Sequence, residues 1–168
     1  MLVHRELSHC SALFELMMDP AVFPYVRHKA YSVDEFMFVT KQTVEREANG
    51  ELISRTILDE TGNPIGTISL FDIHENTGYL ATWIGRPYFG KGYNHAAKNL
   101  FFNELFNERD IHTVYLKINR NNVRSQKAAE KLPYVAKAEA MATETHVIYK
   151  IEKETYLLHA VGTDLLEA

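Results

Sequence analysis

The stretch WIGRPYFGKGYN (residues 83–94) carries the residues best suited to hold a charged ligand. Gly90 and Gly92 flank Lys91 just ahead of an amphipathic run, and Pro87 follows the end of an apolar stretch. A helix N-terminus offers main-chain N–H groups without intrahelical acceptors, and its dipole adds partial positive charge. Glycines let a bulky anion approach that backbone. The corner therefore reads as a diphosphate cradle with Arg86 and Lys91 as added charge, or as a plain tight turn from strand to helix. A triphosphate loop would need Ser or Thr after the lysine, where Gly92 stands. A dinucleotide fingerprint would need a third glycine or an alanine where His95 stands.

Two further groups could do chemistry. In NRNNVRSQKAAEKLPY (119–134), Asn122 and Ser125 are three apart where a second helix opens, the spacing of a cap and its first turn. Asp72, His74 and Glu75 close a strand-like run. A general base must lie within reach of its proton and titrate near neutrality, which suits His74 best by its ordinary pKa. The bland alternative, a surface position, stays open for each of the three. The aromatic residues Phe23, Tyr25 and Tyr31 fit a pocket wall or the core. Neither HExxH nor paired CxxC spacing occurs, so no metal is expected.

These residues need elements to position them. Leu2 to Leu7 reads as a short strand and residues 11–18 as a short helix before Asp19-Pro20. Ser32-Val-Asp-Glu35 is a capping box opening a helix that runs to Ala48 and stops at Asn49-Gly50. Residues 52–59, 64–73 and 78–84 are strand-like and joined by short turns, the signature of an antiparallel meander. From Gly92 the period becomes helical, with Tyr93, Ala96, Ala97, Leu100, Phe101 and Leu105 on one face. A strand at 113–119 precedes a helix from Val123 to about Leu132, halted by Pro133. Strands are expected near 135–141 and 145–151 and at TYLLHA, with EKE (152–154) as a solvated strand edge. The order predicts an α/β (α+β) fold, a mixed sheet covered by helices.

The chain as a whole narrows the function classes. Its 168 residues are expected to form a single domain spanning 1–168. Net charge of −4 and a pI near 6.1 give no electrostatic footprint for nucleic acid or an anionic membrane. The lone Cys10 forbids an internal disulfide and fits a reducing, cytoplasmic setting. The N-terminal residues lack a secretory apolar core, and no apolar run is long enough to span a bilayer.

Taken together, WIGRPYFGKGYNHAAKNLFF and the Asn122-x-x-Ser125 segment with AAEKL after it resemble the GNAT superfamily of acetyl-coenzyme A-dependent N-acetyltransferases. With DPAVFPYVR, the capped helix and NPIGTISLFDI, the layout to about residue 151 is similar to the Rim-like branch, which acetylates ribosomal-protein N-termini. The resemblance implies a GNAT-like, mostly antiparallel sheet of about six or seven strands flanked by helices. It implies acetyl-CoA as cosubstrate and direct attack by a primary amine in a ternary complex. Phe89, Gly90, Lys91, Gly92, Tyr93 and Asn94 would then cradle the diphosphate, while Trp83 and Ile84 would offer main chain to the pantetheine and the developing oxyanion. Asn122 would hold a pantetheine amide, and Ser125 would hydrogen-bond the departing thiolate. His74 or Glu75 would act as base, and Tyr25, Tyr31 and Asp72 would face the acceptor. That acceptor would be a protein N-terminus or a small amine such as a polyamine or aminoglycoside; a CoA-binding regulator without turnover is the other reading. The partner is thus an amine, with nucleic acid and membrane not expected and the chain a monomer or homodimer. Three positions depart from the family pattern: Pro87 replaces an anchoring Gln or Arg, Ala129 stands where many relatives carry a Tyr acid, and Leu132-Pro133-Tyr134 replaces the usual Leu-Gly-Phe.

Overall fold

In the computed structural model, which describes residues 1–167 and the side chains of 1–161, three consecutive antiparallel strands form half of the sheet. They are β2 (Ile53–Leu58), β3 (Pro64–His74) and β4 (Thr77–Ile84). The β2–β3 turn is held by Asp59, whose Oδ1 accepts from the Thr61 and Asn63 amides at 2.9 Å each, with Gly62 at φ 87°. Strand β1 (Leu2–His4) pairs with β2, and a 3₁₀ turn, not the expected continuation of the strand, carries Leu7–His9. Strand β5 (Thr113–Asn119) lies parallel to β4, and β7 (His146–Glu152) pairs antiparallel with β5. With β6 (Ala136–Lys137) on the far edge, the seven strands run β1-β2-β3-β4-β5-β7-β6, mixed and mostly antiparallel as expected.

Helices cover both faces. Helices α1 (Cys10–Met17) and α2 (Val33–Ala48) cover one face, around a cluster containing Leu13, Met17, Val26 and Phe36. The capping box forms as predicted: Ser32 Oγ accepts from the Glu35 amide at 3.1 Å, and Glu35 reaches back to the Tyr31 amide at 3.2 Å. Helix α3 (Tyr93–Glu108) packs on the opposite face, with α4 (Val123–Glu130) and α5 (Lys153–Glu167) contributing to the same larger core.

The side chains that α3 buries are Ala97, Lys98, Phe101, Phe102, Leu105 and Phe106. The expected stripe was rotated: Leu100 is 49% exposed and Ala96 is exposed, while a lysine sits inside. A face chosen by apolar type alone could not include Lys98.

The C-terminal third corrects three further expectations. Only Ala136–Lys137 (β6) joins the sheet within 135–141, and a 3₁₀ turn at Glu139–Met141 follows. TYLLHA is helical, because one turn brings Tyr156 into a ring cluster with Phe102, Phe106 and Tyr134 at 5.0–6.3 Å. In the EKE run, Glu152 ends β7 and Lys153 and Glu154 open α5, where Glu154 complements the helix dipole.

Candidate active site

The central feature is a pairing that stops halfway. Strands β4 and β5 keep register from Thr77↔Thr113 to Leu80↔Leu116 and no further. On its other side β4 stays paired to β3 as far as Ile84↔Gly66, and β5 stays paired to β7 as far as Asn119↔His146. The two strands therefore splay inside a continuous sheet, and the edge of β4 from Ala81 to Ile84 faces a gap without a strand partner. A cavity of about 890 Å³ occupies the opening and reaches both faces.

Helix α3 begins at the open end of β4. Gly92 is its N-cap at φ 84° and makes no side-chain cap, and Gly90 lies at φ 73°. The first helical bond is donated by the Ala96 amide to Gly92 O at 3.0 Å, so the amides of Tyr93, Asn94 and His95 lack intrahelical acceptors. A β-carbon at Gly90 or Gly92 would meet nothing within 4 Å, so positive φ and a bare surface, not crowding, account for these glycines.

Polar groups without protein partners gather in the cavity beside this helix. Thr82 Oγ1 and Asn94 Oδ1 are buried and unbonded. Lys98 lies one turn beyond Asn94, is 3% exposed, and has no carboxylate or carbonyl partner among the described residues. Burial, with Arg124 nearby, pushes its ammonium down to about 8. Arg124, in the first turn of α4, stacks over Phe89 at 3.7 Å and joins the helix to the glycine loop. Coenzyme A, with amide donors along its arm and a diphosphate, fits this set of free acceptors, cations and amides.

Of the residues singled out in the sequence, Tyr25, Asp72, Trp83, Ile84, Asn94, Asn122 and Ser125 line the cavity together. Phe89, Gly90, Lys91, Gly92 and Tyr93 form the loop and helix start that lead into Asn94 and do not themselves line the cavity. Asn122 is the N-cap of α4, its Oδ1 accepting from the Ser125 amide at 3.3 Å. That leaves its Nδ2 and the Ser125 hydroxyl free among the described residues. Tyr31 does not line the cavity; it is 68% exposed and packs edge-on against Phe23 at 5.4 Å. His74 and Glu75 also lie outside it, at the β3–β4 turn by the zipped end of the splay, each side chain 84% exposed and the two 3.6 Å apart. Asp72 is engaged by Arg27 at 2.8 Å, and the Arg27 guanidinium lies 4.4 Å from the centre of the Phe71 ring. Arg86 faces Asp19 at 3.8 Å and does not line the cavity.

Several lining residues carried no sequence motif. His28 meets the Phe71 ring edge-on at 5.0 Å, and burial followed by the neighbouring Arg27 lowers its pKa, which favours the neutral imidazole. Thr82, Lys98 and Arg124 belong to the same group. Strand alternation could have marked Thr82, and a helical repeat tolerating one polar position could have marked Lys98. Nothing in the sequence announces His28.

The family described as "Acetyltransferase (GNAT) domain" matches residues 1–135. The chain belongs to this GNAT acetyltransferase family, whose members use acetyl-CoA. No curated protein matches it in sequence. A putative ribosomal-protein-serine acetyltransferase from Vibrio cholerae is similar in structure (TM-score 0.78, 15% identity, covering 90% of this chain and 92% of that one). So is a variant of the spermidine N-acetyltransferase SpeG from Vibrio cholerae (TM-score 0.73, 16% identity, 95% and 99%). A third is the microcin self-immunity acetyltransferase MccE in complex with acetyl-CoA and AMP (TM-score 0.75, 17% identity, 90% and 91%).

Proposed function

We propose that this protein transfers the acetyl group of acetyl-CoA to a primary amine bound in the same cavity. The observation that carries the reading is the splay of β4 from β5, opening beside an uncapped helix N-terminus and the unbonded Thr82, Asn94 and Lys98. Bound acetyl-CoA would supply a thioester-activated acetyl group. The α3 amides from Tyr93 to His95, with Lys91, Lys98 and Arg124, would hold its diphosphate. The free edge of β4, whose outward main-chain groups are those of Thr82 and Ile84 while Trp83 faces β3, would pair with its amides as an added strand does, and aim an N–H where oxyanion charge develops. Asn122 Nδ2 and the Ser125 hydroxyl would serve the pantetheine and the sulfur, with Ser125 donating a hydrogen bond.

An attacking amine must lose a proton. His28 lines the cavity and burial favours its neutral imidazole, whereas exposed His74 and Glu75 lie outside the cavity, so position selects His28. The acceptor reading spans a protein N-terminus and a small amine. A polyamine fits less well: Asp72 is the one carboxylate among the described residues that line the cavity, and Arg27 neutralises it. A cytoplasmic location belongs to the same proposal; Cys10 is buried and free, and no helix among the described residues is long and apolar enough to cross a membrane.

Calorimetry of acetyl-CoA binding, with ATP and NAD as controls, tests the reading on wild type and Gly92→Glu. Selective acetyl-CoA binding that the variant loses is expected. Equal binding of all three, or none, returns the glycines to a simple turn.

A further inference from the structure

Beneath α1 and α2 the sheet is unusually polar. Alternation turns Ser54 and Thr56 of β2, and Thr67 and Ser69 of β3, toward these helices, and all are at most 7% exposed. A buried face of this kind is ordinarily aliphatic; the opposite face of the same strands carries Ile57, Ile68 and Leu70 in the larger core, with Arg55 its one buried charge among the described residues of the two strands. Ser54 and Ser69 share a hydrogen bond of 2.6 Å.

Arg5 is the cation set into this face. Its Nη1 donates to Ser54 Oγ and its Nη2 to Thr40 Oγ1, each at 3.2 Å, and its Nε is buried without a partner. No carboxylate among the described residues lies within ion-pairing distance of it. Arg55 by contrast is held by Glu47 and Glu104, and Arg27 by Asp72, whereas Arg124 shares with Arg5 the lack of a carboxylate partner among the described residues. An arginine without a counter-charge, held in a fixed orientation by hydroxyls and opening onto a cavity, presents the fork that carboxylates and phosphates fill. Arg5 and Ser69 both line the cavity. They lie on the face away from α3: Trp83 of β4 packs with the α1–α2 cluster, whereas Leu80 and Ile84 pack with α3. In the proposed reading the phosphates of the donor would be held on the α3 side by the helix N-terminus, Lys98 and Arg124, which would leave Arg5 for the other substrate.

We infer that the acceptor is a small amine that also carries an oxyanion, a carboxylate or a phosphate, and that Arg5 holds that group while the amine points to the splay. This rests on the acetyl-transfer reading for the identity of the second substrate, and the hydroxyls of Ser54 and Thr40 keep the guanidinium aimed.

Calorimetry on the CoA-saturated protein tests it with matched amines: phenylalanine against phenethylamine, glucosamine 6-phosphate against glucosamine, and spermidine as a polycation. At least one anionic member is expected to bind 10-fold or more tightly than its neutral twin, and the pair that does so separates carboxylate from phosphate. Arg5→Gln should erase that ratio, Arg5→Lys should retain part of it, and the CoA Kd should change less than 2-fold. Should Arg5→Gln fail to fold, Ser69→Asp places a carboxylate beside the guanidinium and should abolish the preference. Twins that bind equally, no binding by any of them, tightest binding by spermidine, or a ratio that survives both substitutions would overturn the inference. CoA binding with unselective amine acetylation would leave the acetyl-transfer reading standing alone. An anionic preference in a protein that binds no CoA would do the reverse.

Discussion

Lys98 shows how a single side chain can connect stability, ligand and pH. Its folded-state pKa of about 8 lies below the ordinary lysine value, so the charged form is penalised in the folded state. The penalty, roughly 3 kcal/mol from the size of the shift, applies in full below pH 8 and fades as pH rises toward 10.5. Lys98→Met should therefore stabilise the protein at pH 7, with the gain shrinking from pH 8 upward, as measured by urea denaturation. The same lysine should take up a proton when an anionic donor binds near pH 8.5, which calorimetry in buffers of different ionisation enthalpy reads directly. For His28, the depressed pKa places the acid limb of the kcat/KM profile below the ordinary imidazole range. His28→Gln should lower kcat about 100-fold or more, whereas replacing His74 and Glu75 together should leave it unchanged. At Gly92, substitution meets no clash but a positive φ, so Gly92→Glu should cost about 1 kcal/mol of stability and far more in donor affinity.

At the scale of elements, two joints hold the site in place. Arg55 is 4% exposed and joins α2, β2 and α3 through Glu47 and Glu104, with Arg109 facing both glutamates. Arg55→Met leaves those glutamates without their buried cation and should cost about 3 kcal/mol. The other joint is the ring cluster between α3 and α5. Tyr156→Ala removes its buried ring from against Phe102 and Phe106 and should cost about 3 kcal/mol without altering the acetyl-CoA Kd. Local signals located most elements: the capping box of α2, the meander turns, and β5 at Thr113–Asn119 were all legible. The C-terminal segment was not, because TYLLHA becomes helical through contacts with rings some fifty residues earlier in the chain.

Across the whole molecule, the sheet is divided at its centre into a zipped half and an open half. Ligand binding should therefore be felt along β4 and not along β2. Amide exchange at Thr82 and Ile84, whose N–H groups face the gap, should slow on adding acetyl-CoA, while exchange at Ile53–Leu58 stays constant; uniform slowing would contradict strand-like pairing of the donor with β4.

By itself the sequence determined the strand and helix order as far as α4, the glycine corner with its exposed amides, and the Asn122–Ser125 start of that helix. Each is set by residues within a turn or two, so composition and spacing suffice to read it. Only the tertiary structure decided where β4 and β5 part, that Lys98 faces inward, that His28 and Arg5 reach the cavity, and that His74 and Glu75 do not. Those placements depend on register and on packing between residues far apart in the chain, and local propensity carries no record of either.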